Sequence, residues 1–298
     1  MDTSARTIGV VGAGCIGATV CADLVLHGFQ VVLVDIDPAA LDRTRDVVTE
    51  AARFGHFLRP GLSAAEPADA VAAVTGTTDV AALGDCEFVV ENVVEHWPTK
   101  RRLYQELDAV LPAGVGIGAN TSSIPIGRLA GETTRPELVV GIHFMNPAHL
   151  MDAVEVMRGA RTSEECLSYV RSLMSGLGKE MIVVGDSPGF VSNRLSHVFF
   201  NEAARLVEEE GVAPEVVDQV FRRCFGHRMG PLETADLIGL DTVALTLDHL
   251  YDSYGDPRFA CAGLLRELVA SGRVGRKSGR GFYRYDNQST NAPGGEQG

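Results

Sequence analysis

The architecture of this 298-residue chain is set near its N-terminus by the segment Ile8-Gly9-Val10-Val11-Gly12-Ala13-Gly14-Cys15-Ile16-Gly17. An apolar, β-branched run leads into the pattern G-x-G-x-x-G, and a segment of helical length and spacing, Cys15–His27, follows it. In such a unit the first glycine makes the tight turn, the second lets backbone approach a pyrophosphate, and the third lets helix and strand pack closely. The helix N-terminus also offers N–H groups to phosphate. The stretch therefore predicts a dinucleotide-binding site.

An acidic residue at the end of the second predicted strand indicates which dinucleotide is bound. Asp35 lies 18 residues past Gly17, where a carboxylate bonds ribose hydroxyls and repels a 2′-phosphate. The next residues, Ile36-Asp37-Pro38, include no arginine that could bind that phosphate. NAD rather than NADP is the predicted cofactor. The alternative at this stage is a purely structural glycine turn in an α/β protein that binds no dinucleotide.

The first part of the chain alternates short apolar runs with helical patterns, which is typical of a parallel α/β sheet. The pattern changes to helical periodicity after Gly185, where Asp186 or Ser187 can cap a helix that has Pro188 in its first turn. The predicted fold is a doubly wound Rossmann-type sheet over 1–185, followed by an all-α domain over 186–298. Residues 287–298 are rich in Gly, Ser, Asn and Pro and are expected to be disordered. The predicted strands are Ile8–Val11, Val31–Asp35, Phe88–Val90, Val115–Ala119, Val139–His143, Ala153–Val156 and Met181–Val184, and the predicted helices include Cys15–His27, Ala39–Leu58, Glu66–Val74, Pro98–Leu111 and Ser163–Leu177.

Composition excludes several classes of function. The formal net charge of −13 argues against a nucleic-acid or anionic-membrane partner, and 45% hydrophobic with 22% charged residues is ordinary for a globular protein. Six scattered cysteines without C-x-x-C spacing, and no predicted signal peptide, favour the cytoplasm. Eight histidines show no H-E-x-x-H pattern, so no metal is expected. Only three of the 26 basic residues are lysines, namely Lys100, Lys179 and Lys277.

Three downstream segments carry polar side chains in unusual contexts. Asn120-Thr121-Ser122-Ser123 follows a strand end, where ligands of open α/β sheets bind. Gly141-Ile142-His143-Phe144-Met145-Asn146-Pro147 ends the next strand, with Glu155 inside Val154-Glu155-Val156. Asp186-Ser187-Pro188-Gly189-Phe190-Val191-Ser192-Asn193-Arg194 opens the helical domain. Each has a structural explanation when taken alone, but together beside a dinucleotide site they predict a dehydrogenase centre.

With these motifs and the closing Gly275-Arg276-Lys277-Ser278-Gly279-Arg280-Gly281-Phe282-Tyr283, the chain resembles the L-3-hydroxyacyl-CoA dehydrogenases, including bacterial 3-hydroxybutyryl-CoA dehydrogenases. The resemblance implies oxidation of a (3S)-hydroxyacyl thioester to the 3-oxoacyl thioester, with a helical domain that forms a homodimer. It implies that His143 is the base and Glu155 its orienting carboxylate, with Ser122 and Asn193 near the reacting oxygen. The implied cofactor contacts are Gly12, Gly14, Cys15, Ile16, Gly17, Asp35, Glu91, Glu95, Lys100, Asn120, Ser122, Asn146 and Lys277.

These residue types suit the implied chemistry. Oxidation of a secondary alcohol needs a base for the hydroxyl proton, and an imidazole can accept and return a proton near neutral pH. A carboxylate bonded to the other ring nitrogen fixes the tautomer and stabilises the imidazolium that forms.

Departures from the family pattern leave alternatives open. Segment 51–99 holds no lysine and only Arg53 and Arg59 as basic residues, although family members contact CoA there through lysine and serine. An alternative is therefore a dehydrogenase of a short polar group such as glyceryl on an acyl carrier protein, as in polyketide extender-unit biosynthesis. Arg53, Arg59 or Arg222-Arg223 would then meet the acidic carrier. An alternative of another class is a non-catalytic NAD-binding or structural protein.

Overall fold

The protein is described by a computed structural model, which covers residues 6–59, 62 and 65–285. The prediction made for 287–298 lies outside these residues. The chain separates into two compact units, and the division falls between Phe190 and Val191.

The first unit is built on one eight-stranded sheet with the order β3-β2-β1-β4-β5-β6-β7-β8. Alternate residues along a strand serve opposite faces, since Ile8 and Val10 belong to one buried cluster and Val11 to another. The order reverses between β1 and β4, which is the switch point where open α/β sheets bind ligands. The strands are β1 (Thr7–Val11), β2 (Gln30–Val34), β3 (Val74–Thr77), β4 (Phe88–Glu91), β5 (Gly116–Ala119), β6 (Val139–His143), β7 (Ala153–Arg158) and β8 (Glu180–Gly185).

Helices connect these strands much as the sequence predicts. Apolar positions at three- and four-residue steps set each predicted span, and the observed bounds differ from the predicted ones by about one residue for the four longest helices. The short predicted helix at Glu66–Val74 ends at Ala72, and strand β3, which sequence analysis missed, takes up its last residue. The helices are α1 (Cys15–Leu26), α2 (Pro38–Leu58), α3 (Pro67–Ala72), α4 (Trp97–Val110), α5 (Ile126–Ala130) and α6 (Glu164–Gly176).

The prediction of a parallel sheet is wrong for the last two strands. β7 pairs antiparallel with β6, and β8 runs parallel to β7. Only residues 144–152 join β6 to β7, and they include no more than a 3-10 turn at Ala148–Leu150. Because a parallel crossover needs a dozen or more residues, so short a connection produces an antiparallel pair. His143 is the register partner of Glu155 in this pair.

The second unit is helical, and glycines end two of its helices. Gly211 and Gly255 adopt left-handed φ values of 67° and 61°, which residues with a Cβ atom rarely adopt. A buried core that includes Phe200, Leu247 and Leu265 lies among the helices. The helices are α7 (Ser192–Glu210), α8 (Pro214–Cys224), α9 (Pro231–Ile238), α10 (Leu240–Tyr254) and α11 (Gly263–Ala270).

The predicted helix start at Asp186 to Pro188 is wrong, because α7 begins only at Ser192. Gly189 and Phe190 have φ values of 77° and 52°, and a right-handed helix cannot include such residues. The Asp186 carboxylate instead accepts hydrogen bonds from the backbone N–H groups of Ile126 at 2.7 Å and Gly127 at 2.8 Å, and so caps α5.

Two glycines of the first turn are expected to differ sharply in their tolerance of a methyl group. A Cβ at Gly17 would lie 1.8 Å from the carbonyl oxygen of Gly12, whereas a Cβ at Gly14 would meet nothing within 4 Å. Because the backbone must move to accommodate a methyl group at residue 17, Gly17→Ala should lower the free energy of unfolding by about 3 kcal/mol or more. Gly14→Ala is the matched control and should leave the free energy within about 1 kcal/mol of wild type. Urea unfolding followed by circular dichroism measures both, and equal losses would contradict the proposed contact.

Candidate active site

The glycine turn between β1 and α1 is shaped to receive phosphate. Gly12 has a φ of 94°, and its N–H donates to the carbonyl oxygen of Val34 at 2.8 Å. Gly14 stands at the helix N-cap without a side chain, so no side chain covers the first turn of α1. The open side at Gly14 and the uncapped helix end fit a dinucleotide pyrophosphate. Cys15, exposed at the start of the helix, and Ile16 lie in the same turn.

Hydrogen bonds hold the Asp35 carboxylate beside this turn. Its Oδ2 accepts a hydrogen bond from the Ala13 N–H at 2.6 Å, and its Oδ1 accepts one from the Asp37 N–H at 2.8 Å. The carboxylate is therefore fixed beside the turn, as ribose recognition requires. Sequence analysis gave no role to Ile36, whose side chain is 96% exposed. An apolar side chain so exposed beside Asp35 suits packing against the flat face of a nucleotide base.

A buried ion cluster lies at the carboxyl ends of β4 and β5. The Lys100 ammonium donates to both carboxylate oxygens of Glu91, at 2.7 and 2.8 Å, and to the Asn120 carbonyl at 3.0 Å. Both side chains are fully buried, and burial raises the pKa of Glu91 although the ion pair with Lys100 acts in the opposite direction. With its ammonium bonded in this way, Lys100 positions the strand ends. The Asn120 amide continues the network to Asn92 at 2.8 Å.

One carboxylate oxygen of Glu95 accepts several hydrogen bonds from the turn Asn120-Thr121-Ser122-Ser123. Its Oε1 accepts hydrogen bonds from the backbone N–H groups of Ser122 at 3.1 Å and Ser123 at 2.8 Å, and from the Thr121 hydroxyl at 2.5 Å. Although burial alone would raise the pKa of Glu95, Lys100 and these hydrogen bonds outweigh it and lower that pKa. Glu95 therefore remains ionised and holds the Ser122 backbone in place.

His143 lies between a carboxylate and a hydroxyl. Its Nδ1 is 3.0 Å from Oε2 of Glu155, and its Nε2 is 3.2 Å from the Ser122 hydroxyl. A carboxylate at Nδ1 places the proton there and leaves Nε2 as an acceptor. The ring is almost fully buried, and the Phe190 ring contacts it edge-on with centroids 6.0 Å apart. The His143 ring is therefore held so that Nε2 can accept a proton from a hydroxyl beside it.

The loop after His143 brings Asn146 to the dinucleotide turn, where its Nδ2 lies 3.3 Å from the Cys15 Sγ. The structure thus brings together, within the first unit, the predicted residues from Gly12 to Glu155.

The remaining two predicted residues belong to the second unit. Asn193 is in the first turn of α7, and its carbonyl oxygen lies 2.9 Å from Nδ1 of His197. Lys277 is in a 3-10 turn, Arg276–Ser278, and its ammonium lies 2.7 Å from Oδ2 of Asp241.

The closing glycine-rich motif is organised by a residue that sequence analysis missed. Buried Asp236 accepts hydrogen bonds from the N–H groups of Phe282 and Tyr283, both at 3.0 Å, and from the Tyr285 hydroxyl at 3.0 Å. A Cβ at Gly281 would come within 2.0 Å of Asp236 Oδ1, so the close approach requires glycine. No local pattern marks Asp236, because its partners lie over forty residues away.

A groove of about 230 Å³ runs beside α2 in the first unit. Phe54 and Leu58 of the helix form one side, and His149 and Leu150 form the other. A neighbouring depression is lined by Arg53 and Phe54 together with Asp46, Thr49 and Glu50. Arg59 is not free to bind a carrier protein, because its side chain is only 6% exposed and its guanidinium lies 3.1 Å from Asp152.

The fold and the site define a class of protein: a dinucleotide-dependent dehydrogenase with a histidine–carboxylate pair on a Rossmann-type sheet. Comparison with known proteins narrows the class. The 3-hydroxyacyl-CoA dehydrogenase NAD binding domain matches residues 7–187, and the C-terminal domain of the same family matches 189–285. The chain belongs to the 3-hydroxyacyl-CoA dehydrogenase family.

Individual relatives match over nearly their full length. The "Probable 3-hydroxybutyryl-CoA dehydrogenase" of Deinococcus radiodurans is 39% identical over 93% of this chain and 99% of its own. A relative with the same name from Bacillus subtilis is 35% identical over 96% of this chain and 99% of its own. The crystal structure of (S)-3-hydroxybutyryl-CoA dehydrogenase PaaH1 from Ralstonia eutropha is 38% identical and superposes with a TM-score of 0.88, covering 95% of this chain and all of that one.

These findings confirm the predicted family, fold class and NAD cofactor, and they identify an enzyme. They do not favour the alternative of a polyketide-type carrier-protein dehydrogenase. Among the described residues, no helix has the length and apolarity that crossing a membrane requires.

The position of Asp35 predicts a change in cofactor preference. Asp35→Ser removes the carboxylate that bonds ribose and repels a 2′-phosphate, so the ratio of the Kd of NADPH to that of NADH should fall about 10–100-fold. Asp37→Ser is the matched control, because serine still caps α2 and Asp37 does not contact the glycine turn. Titration of dinucleotide fluorescence measures both ratios. An unchanged ratio in the Asp35 variant would show that another group selects NAD.

Proposed function

We propose that this protein catalyses the reversible oxidation of a (3S)-hydroxyacyl-CoA to the 3-oxoacyl-CoA, with 3-hydroxybutyryl-CoA as its type substrate. The observation that carries the proposal is the arrangement of His143 between Glu155 and Ser122, on the sheet edge that holds the glycine turn. The names of the relatives support the thioester and the four-carbon acyl group.

In this proposal the two ring nitrogens of His143 have different tasks. Nε2 takes the proton of the substrate 3-hydroxyl in the oxidation and returns it in the reduction. Glu155 at Nδ1 keeps the ring in the accepting tautomer and stabilises the imidazolium. The Ser122 hydroxyl, 3.2 Å from Nε2, bonds the reacting oxygen. These roles require neither a metal nor a covalent intermediate.

The residues that would hold the cofactor form the rim of the same sheet edge. The N–H groups at Gly14 to Gly17 receive the pyrophosphate, and Asp35 receives the ribose. NAD, when bound, accepts the hydride from the substrate carbon. Glu91, Glu95 and Lys100 fix the strand ends around it, and Asn120 and Asn146 present amides.

The CoA arm occupies the groove beside α2. Phe54 and Leu58 offer apolar surface to the pantetheine chain, and Arg53 in the adjoining depression offers a cation to the phosphates. An exposed guanidinium here replaces the lysines that the family resemblance led us to expect. A CoA thioester therefore needs no lysine in this segment.

The second unit forms a homodimer in this proposal. Support comes from large apolar side chains that its helices expose, including Leu195, Val216 and Phe225, which are 66%, 51% and 67% exposed. Surface of this kind on adjacent helices is typical of subunit interfaces. The proposed location is the cytoplasm, which six free cysteines support.

The proposed activity predicts rapid oxidation of NADH by the purified protein with acetoacetyl-CoA as acceptor. Loss of a general base costs about 10²–10⁴-fold, so His143→Ala should reduce kcat by that factor while the Kd of NADH changes less than about threefold. Glu155→Gln keeps the imidazole of His143 but removes the negative charge beside its Nδ1, so this variant should show an intermediate loss of kcat. Absorbance at the NADH band measures turnover. A near-normal rate in His143→Ala would refute its role as the base.

The proposed CoA groove predicts a selective effect at Arg53. Arg53→Glu should raise the KM for acetoacetyl-CoA about tenfold, because a phosphate-binding cation becomes an anion. The KM for acetoacetyl-N-acetylcysteamine, which has no phosphates, should stay within about twofold. Arg45→Glu on the same helix is the matched control, since Arg45 does not line the depression. An equal rise for both thioesters, or the same rise at Arg45, would contradict the assignment.

A further inference from the structure

Lys179 is the one lysine that the proposed function leaves without a role. It lies immediately before β8, which begins at Glu180, and its side chain is fully buried. Its ammonium donates to the carbonyl oxygens of Ala148, at 2.8 Å, and Met151, and it lies 3.0 Å from Oδ2 of buried Asp23 on α1. Three oxygen atoms thus surround a group that has three N–H donors.

Both carbonyls belong to loop 144–152, which joins His143 to Glu155. Arg59 holds the same loop from the end of α2, with Nη1 donating to the His149 carbonyl at 3.2 Å and Nε to Asp152 at 3.1 Å. Arg59 Nη1 also lies 3.4 Å from Oδ1 of Asp23, so one carboxylate on α1 joins both cations.

A hydroxyl on α1 completes the attachment. The Thr19 Oγ1 receives the N–H of Ala148 at 3.1 Å, one turn of helix before Asp23. The loop therefore rests on the middle of α1, and the start of α1 forms the dinucleotide turn. At that start the loop residue Asn146 reaches Cys15.

A lysine suits this position better than the arginine that the chain otherwise uses. Two carbonyls only three residues apart accept its hydrogen bonds, and the Asp23 carboxylate forms an ion pair with it at 3.0 Å, so the three oxygen atoms converge on a single point. A compact ammonium satisfies convergent acceptors, whereas a planar guanidinium spreads its donors over a fork.

We propose that Lys179, paired with Asp23, is a positioning residue that fixes the 144–152 loop on helix α1 and thereby sets the His143–Glu155 pair relative to the dinucleotide turn. This inference rests on the proposed function. Lys179 touches neither substrate nor cofactor in this proposal. It acts through the loop, so its loss misaligns the reacting groups more than it weakens dinucleotide binding.

The proposal separates turnover from stability. Lys179→Met leaves Asp23 buried without its lysine, so this variant should also lose stability. The double variant Asp23→Asn, Lys179→Met removes both charges of this pair. It should unfold at a higher temperature than Lys179→Met alone but below wild type, because the two loop carbonyls lose their donor and Arg59 loses a neighbouring carboxylate. Because the loop carbonyls remain without their donor, its kcat with NADH and acetoacetyl-CoA should still be about 10–100-fold low per bound NADH. The Kd of NADH should change less than about fivefold.

An ion pair near the amino ends of the strands provides the control. Arg135 lies 2.9 Å from Asp108 and donates to the carbonyls of Asp108 and Leu111, before β5 begins. The double variant Asp108→Asn, Arg135→Met thus removes a comparable ion pair. This pair holds backbone at the amino end of β5, whereas the site residues follow the carboxyl ends of the strands. It should keep wild-type kcat per bound NADH. Wild-type kcat in the Asp23–Lys179 double variant, or an equal loss in both double variants, would overturn the proposal.

Hydrogen exchange gives a readout that does not depend on turnover. In the Asp23–Lys179 double variant the amides of Ala148 and Met151 should exchange at least about tenfold faster, while the β1 amides keep their protection. Unchanged exchange in this loop would also overturn the proposal. If wild-type protein does not reduce acetoacetyl-CoA but the loop amides lose protection, the proposed function fails and the anchoring of the loop by Lys179 stands.

Discussion

The close approach of α1 to the turn after β1 is the contact on which the rest of the first unit depends. No atom heavier than hydrogen fits between residue 17 and the carbonyl of Gly12, so the helix lies directly against backbone. Three features along this one helix follow from its placement. Its N-terminus has no side-chain cap at Gly14, Thr19 accepts the N–H of Ala148, and Asp23 forms an ion pair with Lys179. The glycine turn and loop 144–152 are therefore both held by the same helix.

All three lysines are paired with carboxylates, and two of these pairs are buried. Lys100 with Glu91 and Lys179 with Asp23 are each fully removed from water. Such pairs add little net stability, because desolvation offsets most of the attraction. Their effect is geometric: each ammonium also donates to backbone carbonyls of a loop that carries site residues. Buried charge here fixes positions where an apolar side chain would leave carbonyls without donors.

Sequence alone predicts the parts of this protein that depend on local patterns. The glycine turn, Asp35, the main helices and seven of the eight strands follow from spacing, capping and β-branched runs. Short polar β3 was missed because Val74–Thr77 has no apolar run. The antiparallel course of β7 was also missed, although the two predicted strands leave only residues 144–152 between them, which is too short for a parallel crossover.

The long-range contacts could not be read from the sequence. Asp186 caps a helix sixty residues away, and Asp236 binds backbone more than forty residues away. Lys179 was noticed only as a rare residue type. Its partners come from α1 and from loop 144–152, which only the folded sheet brings together.

Loop 144–152 is held by its backbone, and some of its side chains remain exposed. Hydrogen bonds to Lys179 and Arg59 fix the loop through its backbone carbonyls, which every amino acid supplies. The Met145 side chain remains 36% exposed and takes no part in this anchoring. Substitution of Met145 should therefore leave His143 and Glu155 in place, because the loop between them is held by its backbone carbonyls and not by this side chain.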